Sequence, residues 1–144
     1  MGRLSAILQA RSPVLWVFGP EQTVAEAVRT MAEHQVGVVP ILDQERLIGI
    51  FSERDLLRRV VARGRSLEKT LLSEVMTPDP VTAAPSDSRP TAIHKMHSVG
   101  CRHLPVVAEG VLIDMLSMRD LLSDEIQERT AEVQELRQYV SGSY

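Results

Sequence analysis

Leu47-Ile48-Gly49-Ile50-Phe51-Ser52-Glu53-Arg54-Asp55-Leu56-Leu57 returns 65 residues later as Leu112-Ile113-Asp114-Met115-Leu116-Ser117-Met118-Arg119-Asp120-Leu121-Leu122. In each copy an apolar, strand-like run ends at a serine, and a helix-like run begins there. Ser-x-Arg-Asp-Leu-Leu recurs without a gap, so the duplication governs every later reading. The register holds upstream. Pro40 pairs with Pro105, Met31 with Met96, Ala27 with Ala92 and Thr23 with Ser88 at the same separation. Farther back the separation is 67, where Pro13-Val14 matches Pro80-Val81; the first copy therefore carries two extra residues in Trp16-Val17-Phe18-Gly19. Leu4-Ser5-Ala6-Ile7 echoes Leu72-Ser73-Glu74-Val75 at the front of each copy.

Bulk composition sets the remaining bounds. At 144 residues and 44% apolar, the chain is long enough for a real core, and each half is small enough that the repeats are expected to share one. A net charge of −3 argues against a nucleic-acid partner held by phosphate neutralisation. One cysteine allows no internal disulfide, which fits a reducing compartment. No apolar run has the length of a signal peptide or membrane span. The expected location is the cytoplasm.

Taken in order, residues 3–10 read as a weak amphipathic turn and Pro13 to Val17 as a short strand. Thr23-Val24-Ala25-Glu26 has the pattern of a capping box, with Val24, Ala27, Val28 and Met31 at helical spacing and Gly37 as the stop. Val38 to Leu42 is a continuous apolar run, expected of a strand buried on both faces. After a turn at Asp43-Gln44-Glu45, Arg46 to Phe51 return as a strand, and a helix runs from Ser52 to about Arg63. The second copy repeats the order: a short helix over Leu71–Met76, a breaker at Thr77-Pro78-Asp79-Pro80, a strand at Val81–Ala83, a helix capped by Ser88, then strands near 102–107 and 111–116. Each copy thus reads strand, helix, strand, strand, helix. The last helix continues to about Val140, and Ile126, Val133, Leu136 and Val140 form an a/d seam. Two heptads are too few for an independent coiled coil, so the seam needs a surface, its own module or a second subunit, and a homodimer contact is expected. Ser141 to Tyr144 are expected to fray.

The doubled Ser-x-x-Asp has a plain explanation as a helix cap, worth about 1 kcal/mol per helix. A helix start at the end of a buried strand also presents N–H groups and a positive dipole end suited to phosphate. The serine hydroxyl can reach the same oxygens, and an aspartate one turn in can accept two hydrogen bonds from a ribose diol. Together those groups describe a nucleoside phosphate. Two competing signals are weaker. The cations Arg54, Arg58, Arg59, Arg63, Arg65 and Lys69 at a helix C-terminus complement its dipole. His94, His97, Cys101 and His103 are of the types that ligate zinc or copper, although a lone cysteine at such a place is more often a small core residue. Trp16 and Phe18 read as core. No serine has a paired histidine and acid at interpretable spacing and no glycine-rich phosphate loop is present, so no catalytic reading arises.

With those residues in view, the chain resembles a tandem pair of CBS (cystathionine β-synthase) domains, a Bateman module. The match rests on the two closing motifs, on Val38-Val39-Pro40-Ile41 and His103-Leu104-Pro105-Val106-Val107, and on the linker Val75-Met76-Thr77-Pro78, over residues 4 to about 125. The resemblance implies an α+β fold with repeats at 4–66 and 67–125, packed about a pseudo-twofold, and a C-terminal helix and tail at 126–144. It implies a non-enzymatic regulator; the C-terminal seam makes a homodimer the expected state, and neither a required cofactor nor a metal is expected. Its ligand would be an adenosine compound (AMP, ADP, ATP, S-adenosylmethionine or NAD) held in clefts between the repeats, and its regulated partner protein is unknown. By position, Asp55 and Asp120 would hold ribose hydroxyls and Ser52 and Ser117 phosphate, with Arg54 and Arg119 beside them. Val14 and Leu15, and Val81 and Thr82, would meet the adenine edge. Val38, Val39 and Pro40, or His103, Leu104 and Pro105, would line the base or phosphate side, with Arg102 and His103 as basic phosphate contacts. Asp114, standing where the first repeat has Gly49, implies two unequal clefts; the one with Arg102, His103, Ser117 and Asp120 is placed slightly ahead.

Overall fold

The computed structural model describes residues 3–9 and 15–142. Their elements run α1 (Leu4–Gln9), α2 (Val24–His34), β1 (Val38–Asp43), β2 (Arg46–Ser52), α3 (Glu53–Asp55, widening into π-helical turns over Leu56–Val61), α4 (Leu72–Val75), β3 (Thr77–Pro78), α5 (Arg89–Val99), β4 (His103–Ala108), β5 (Val111–Ser117) and α6 (Met118–Gly142). Each repeat is built on an antiparallel hairpin, β1–β2 or β4–β5. The register slips after Ile41 in one hairpin and after Val106 in the other, equivalent positions of the duplication. Thr23 caps α2 through its hydroxyl, and Ser88 caps α5 in the same way.

Several boundaries differ from the sequence reading. The expected opening strands shrink to single parallel bridges, Phe18 to Ile41 and Ala83 to Val106. Phe18 N–H donates to the Pro40 carbonyl (3.1 Å) and Ala83 N–H to the Pro105 carbonyl (2.9 Å). Pro20 and Pro85 follow closely, and a residue without an N–H ends such pairing. Pro13 and Val14 lie outside the described residues. Helix α2 ends at Gln35 in the left-handed conformation (φ 54°), not at Gly37, which lies two residues farther on. Thr77-Pro78 is no mere breaker: it pairs with Gly49 and Ile50 as a third strand on the first sheet. The closing helix extends through Gly142, past the expected frayed end.

The largest departure is in the core. Two clusters form in place of one shared core, and each is completed by the leading helix of the opposite repeat. Leu4, Ile7 and Leu8 of α1 pack with Ala92, Met96, Leu104, Val106, Leu116 and Leu121 of the second repeat. Leu72 and Val75 of α4 pack with Val24, Ala27, Val39, Ile41, Phe51 and Val60 of the first. Backbone bonds repeat the exchange. Leu4 N–H donates to Asp87 O and Ser5 N–H to Pro85 O, while Leu72 N–H donates to Gln22 O and Ser73 N–H to Pro20 O, all at 2.9–3.0 Å. Leu4 and Leu72 are fully buried, and each such side chain is worth about 1.5–3 kcal/mol. The repeats are therefore held together by reciprocal insertion as well as by contact between β2 and β5.

Candidate functional site

The two helix starts are built alike. Asp55 N–H donates to Ser52 Oγ (3.2 Å), and Asp55 Oδ2 accepts from Ser52 N–H and Oγ–H, both at 3.0 Å. In the second copy Asp120 N–H donates to Ser117 Oγ (3.1 Å), and Asp120 Oδ2 accepts from Ser117 N–H (2.8 Å) and Oγ–H (2.9 Å). Both pairs are reciprocal capping boxes, so the plain structural role is present in each repeat. Asp55 Oδ1 also accepts from Thr77 Oγ1 (3.0 Å) and faces Arg59 Nε (3.5 Å). The carboxylate is only 4% exposed.

Each helix start opens onto a cleft whose far wall belongs to the other repeat. The first, about 440 Å³, gathers Ser52, Glu53, Arg54 and Asp55 from repeat 1, Thr77, Asp79, Pro80 and Val81 from the linker, and Val99 to His103 from the entry to β4. The second, about 960 Å³ and broader, gathers Asp114, Met115, Ser117, Met118 and Arg119 from repeat 2 with Leu15, Trp16, Gln35 to Val38 and Pro40 from repeat 1. Leu122 and Ile126 of α6 complete its rim. The first volume lies within the range of small-molecule sites. Gly37, Val38, Glu53, Arg102 and His103 border both clefts and form the wall between them.

This arrangement re-sorts the expected residues. Arg102 and His103 line the cleft of Ser52 and Asp55, and in the β4–β5 ladder His103 is also the register partner of Ser117. The basic pair therefore lines both clefts, the one ranked first by sequence and also that of Ser52 and Asp55. Side chains of Val39 and Leu104 are buried in the two cores. Pro105 is buried with its carbonyl taken by Ala83, and the Thr82 carbonyl accepts from Lys95 Nζ (2.9 Å), so neither lines a cleft. Leu15, Pro40 and Arg119 do line the second cleft, and Val81 the first; Val14 is outside the described residues. Arg54 Nη2 donates to the Gly100 carbonyl (2.7 Å), tying repeat 1 to the end of α5.

Three features escaped sequence reasoning. Thr77 reaches Asp55 only because β3 folds back on β2. Glu53, an ordinary first-turn acid, lies in the wall between the clefts. Trp16 is only part-buried and stacks on His34, with ring centroids 3.6 Å apart. Of the alternative ligating set, Cys101 Sγ–H donates to the His103 carbonyl and the side chain packs against the second core. Among the described residues no three His, Cys, Asp or Glu side chains are grouped to hold a metal. Three of the cations after Ser52 have structural bonds. Besides Arg54, Arg59 donates to the Met76 carbonyl and Arg65 pairs with Glu74.

His103, half-buried in the dividing wall, is the titratable group of interest. Burial pushes its pKa below the usual 6.5; Asp120 and Glu53 oppose that shift, and Arg102 adds to it. The ring therefore favours the neutral form in the folded protein.

The family model described as "CBS domain" matches twice, at residues 7–62 and 72–125, once for each hairpin and its capping box. The chain belongs to the CBS domain family. Among CBS-domain relatives, it is 33% identical over 129 residues to the Arabidopsis thaliana mitochondrial CBS domain-containing protein CBSX3. That match covers 86% of this chain and 63% of CBSX3, so less than two thirds of the longer protein is represented. The fold is similar to a protein with CBS domains from Burkholderia ambifaria, with a TM-score of 0.83, 31% identity, and coverage of 88% of this chain and 95% of that one. It is also similar to the CBS domain protein PAE2072 from Pyrobaculum aerophilum, solved complexed with AMP, with a TM-score of 0.72, 29% identity, and coverage of 82% and 88%. No helix among the described residues is long and apolar enough to cross a membrane.

Proposed function

We propose that this CBS pair is a non-catalytic, cytoplasmic sensor module. It takes an adenosine-containing ligand (AMP, ADP, ATP, S-adenosylmethionine or NAD) in the first cleft and acts, as a homodimer, on a partner protein. The observation that carries the reading is the meeting of the Ser52/Asp55 helix start with Arg102 and His103 across a cavity of about 440 Å³. The AMP complex of PAE2072 supports the ligand class. In the bound state Asp55 Oδ1 accepts from a ribose hydroxyl, which replaces the Thr77 hydroxyl now donating to it. Ser52, Arg102 and His103 face the phosphate, and the backbone at Val81 meets the base. The second cleft is wider and, beside the Gly37, Val38, Arg102 and His103 that it shares with the first, is lined by Asp114; it is the weaker phosphate site. Exposed apolar pairs at equivalent positions, Leu57 with Val61 and Leu122 with Ile126, support self-association.

Thermal unfolding with each of the five ligands tests the reading. At a hundredfold over its Kd a ligand adds about 2.7 kcal/mol, a rise of roughly 5–10 °C in Tm. Arg102→Ala should reduce the shift for AMP and leave that for adenosine. No shift with any ligand overturns the proposal in favour of a ligand-free scaffold. That second reading is favoured by one observation: the Asp55 carboxylate is already engaged by Ser52, Thr77 and Arg59.

A further inference from the structure

We propose that α6 pairs with α6 of a second copy, side by side and parallel, as a short coiled coil from Leu122 to Val140. The inference rests on the homodimer reading and specifies its surface, direction and register.

Leu122, Ile126, Val133, Leu136 and Val140 alternate at spacings of 4, 7, 3 and 4, the d and a positions of a heptad, with Arg129 at the remaining d. At about 100° per residue these side chains share one stripe, turned roughly a third of the circumference from Leu121, Asp124 and Glu128. The latter three attach α6 to its own module. Leu121 is buried in the second core, and Arg89 Nη1 donates to Asp124 (2.6 Å) and Glu128 (2.9 Å). The stripe itself is open, with Ile126 65% and Leu136 64% exposed. Beyond Glu128 every described side chain of α6 is exposed, and a helix that buries so little apolar surface is marginal in water.

Charge selects both the occupant and its direction. Glu132 and Arg137 flank the stripe at g and e. In a parallel pair each g residue faces the e residue five positions on in the other helix, so Glu132 meets Arg137 of the second copy, twice by symmetry. An antiparallel pair would set g against g and bring the two Glu132 carboxylates together. Arg129, whose Nη2 donates to Glu125 (3.2 Å), is a polar interruption of the seam that favours one register at some cost in strength.

Sedimentation equilibrium of the full chain and its variants tests this. The wild type should be a dimer and Leu136→Glu a monomer that keeps the cooperative unfolding of the module and loses at most the helical signal of the last turns of α6. Glu132→Arg and Arg137→Glu should each weaken the dimer roughly three- to tenfold, and the double variant should recover wild-type affinity. In a Cys101→Ser background, Val140→Cys should crosslink to itself under mild oxidation. In an antiparallel pair the two sites would lie about 27 Å apart. A monomeric wild type defeats the homodimer reading and this proposal together. A dimer indifferent to Leu136→Glu leaves the homodimer standing and overturns α6 as its surface. A double variant that stays weak, or a Val140→Cys that fails to crosslink, overturns the parallel register.

Discussion

The two repeats share a plan but differ at Gly49 and Asp114, and that difference shows what the linker does. A Cβ on Gly49 would stand 2.5 Å from Met76 Sδ and 2.9 Å from the Thr77 carbonyl, because β3 lies directly on β2 there. Glycine is required by the returning chain rather than by a ligand. On the second sheet, which has two strands among the described residues, the same position holds the buried Asp114, whose Oδ1 accepts from Met115 N–H (2.7 Å). Covering one hairpin with β3 also delivers Thr77 to Asp55, so the first helix start acquires a hydroxyl neighbour from the linker. Equivalent sequence positions thus came to face different surroundings, and their chemistry diverged accordingly.

The sharpest way to break this comparison is through the exchanged helices. Leu72→Ala and Leu4→Ala should each cost about 2–5 kcal/mol in urea unfolding. Amide exchange should locate the loss from Leu72→Ala in β1–β2 and that from Leu4→Ala in β4–β5, each away from the mutated repeat. Damage confined to the mutated repeat would refute the exchange. Next in size, Gly49→Asp should cost about 1–3 kcal/mol through overpacking against Met76 and Thr77. Asp114→Gly should cost less, and equal losses would mean that β3 is not the source of the asymmetry.

Two smaller tests concern the turns and the dividing wall. The first repeat places Gln35 (φ 54°) and Glu45 (φ 68°) in the left-handed region where the second has Gly100 and Gly110. Gln35→Gly and Glu45→Gly should each raise stability by about 0.5–1 kcal/mol, read from chemical denaturation. Last, His103 occupies the place of Val38. Its folded pKa lies below 6.5, so the unfolded chain takes up the proton first as pH falls. Its contribution is intact above pH 6.5 and is lost as pH drops through the window below, a slope that His103→Gln should flatten.

The duplication, the hairpins, the capping serines and the apolar face of α6 were legible because each depends on residues a few positions apart. Periodicity reports those relations directly. The candidate site was legible only in part. Ser52, Asp55, Ser117 and Asp120 could be named from the repeat, but which wall each would face could not. Arg102 and His103, assigned from the sequence to the cleft of Ser117, line that cleft and the one of Ser52 as well. Thr77 gave no local signal at all, since its role arises from a strand that folds back 22 residues after Asp55. Val39 and Leu104 were named as cleft residues by the resemblance, and their side chains lie in the cores, as a continuous apolar run buried on both faces allows.

Taken alone, the chain's order of residues determined what each repeat is made of and where its helices begin, since hydrogen bonding and side-chain periodicity act over one or two turns. Tertiary structure decided the reciprocal exchange of α1 and α4, the third strand, and the pairing of each helix start with the opposite repeat. Those outcomes depend on which apolar surfaces meet through space, a choice that two near-identical repeats leave open until both have folded.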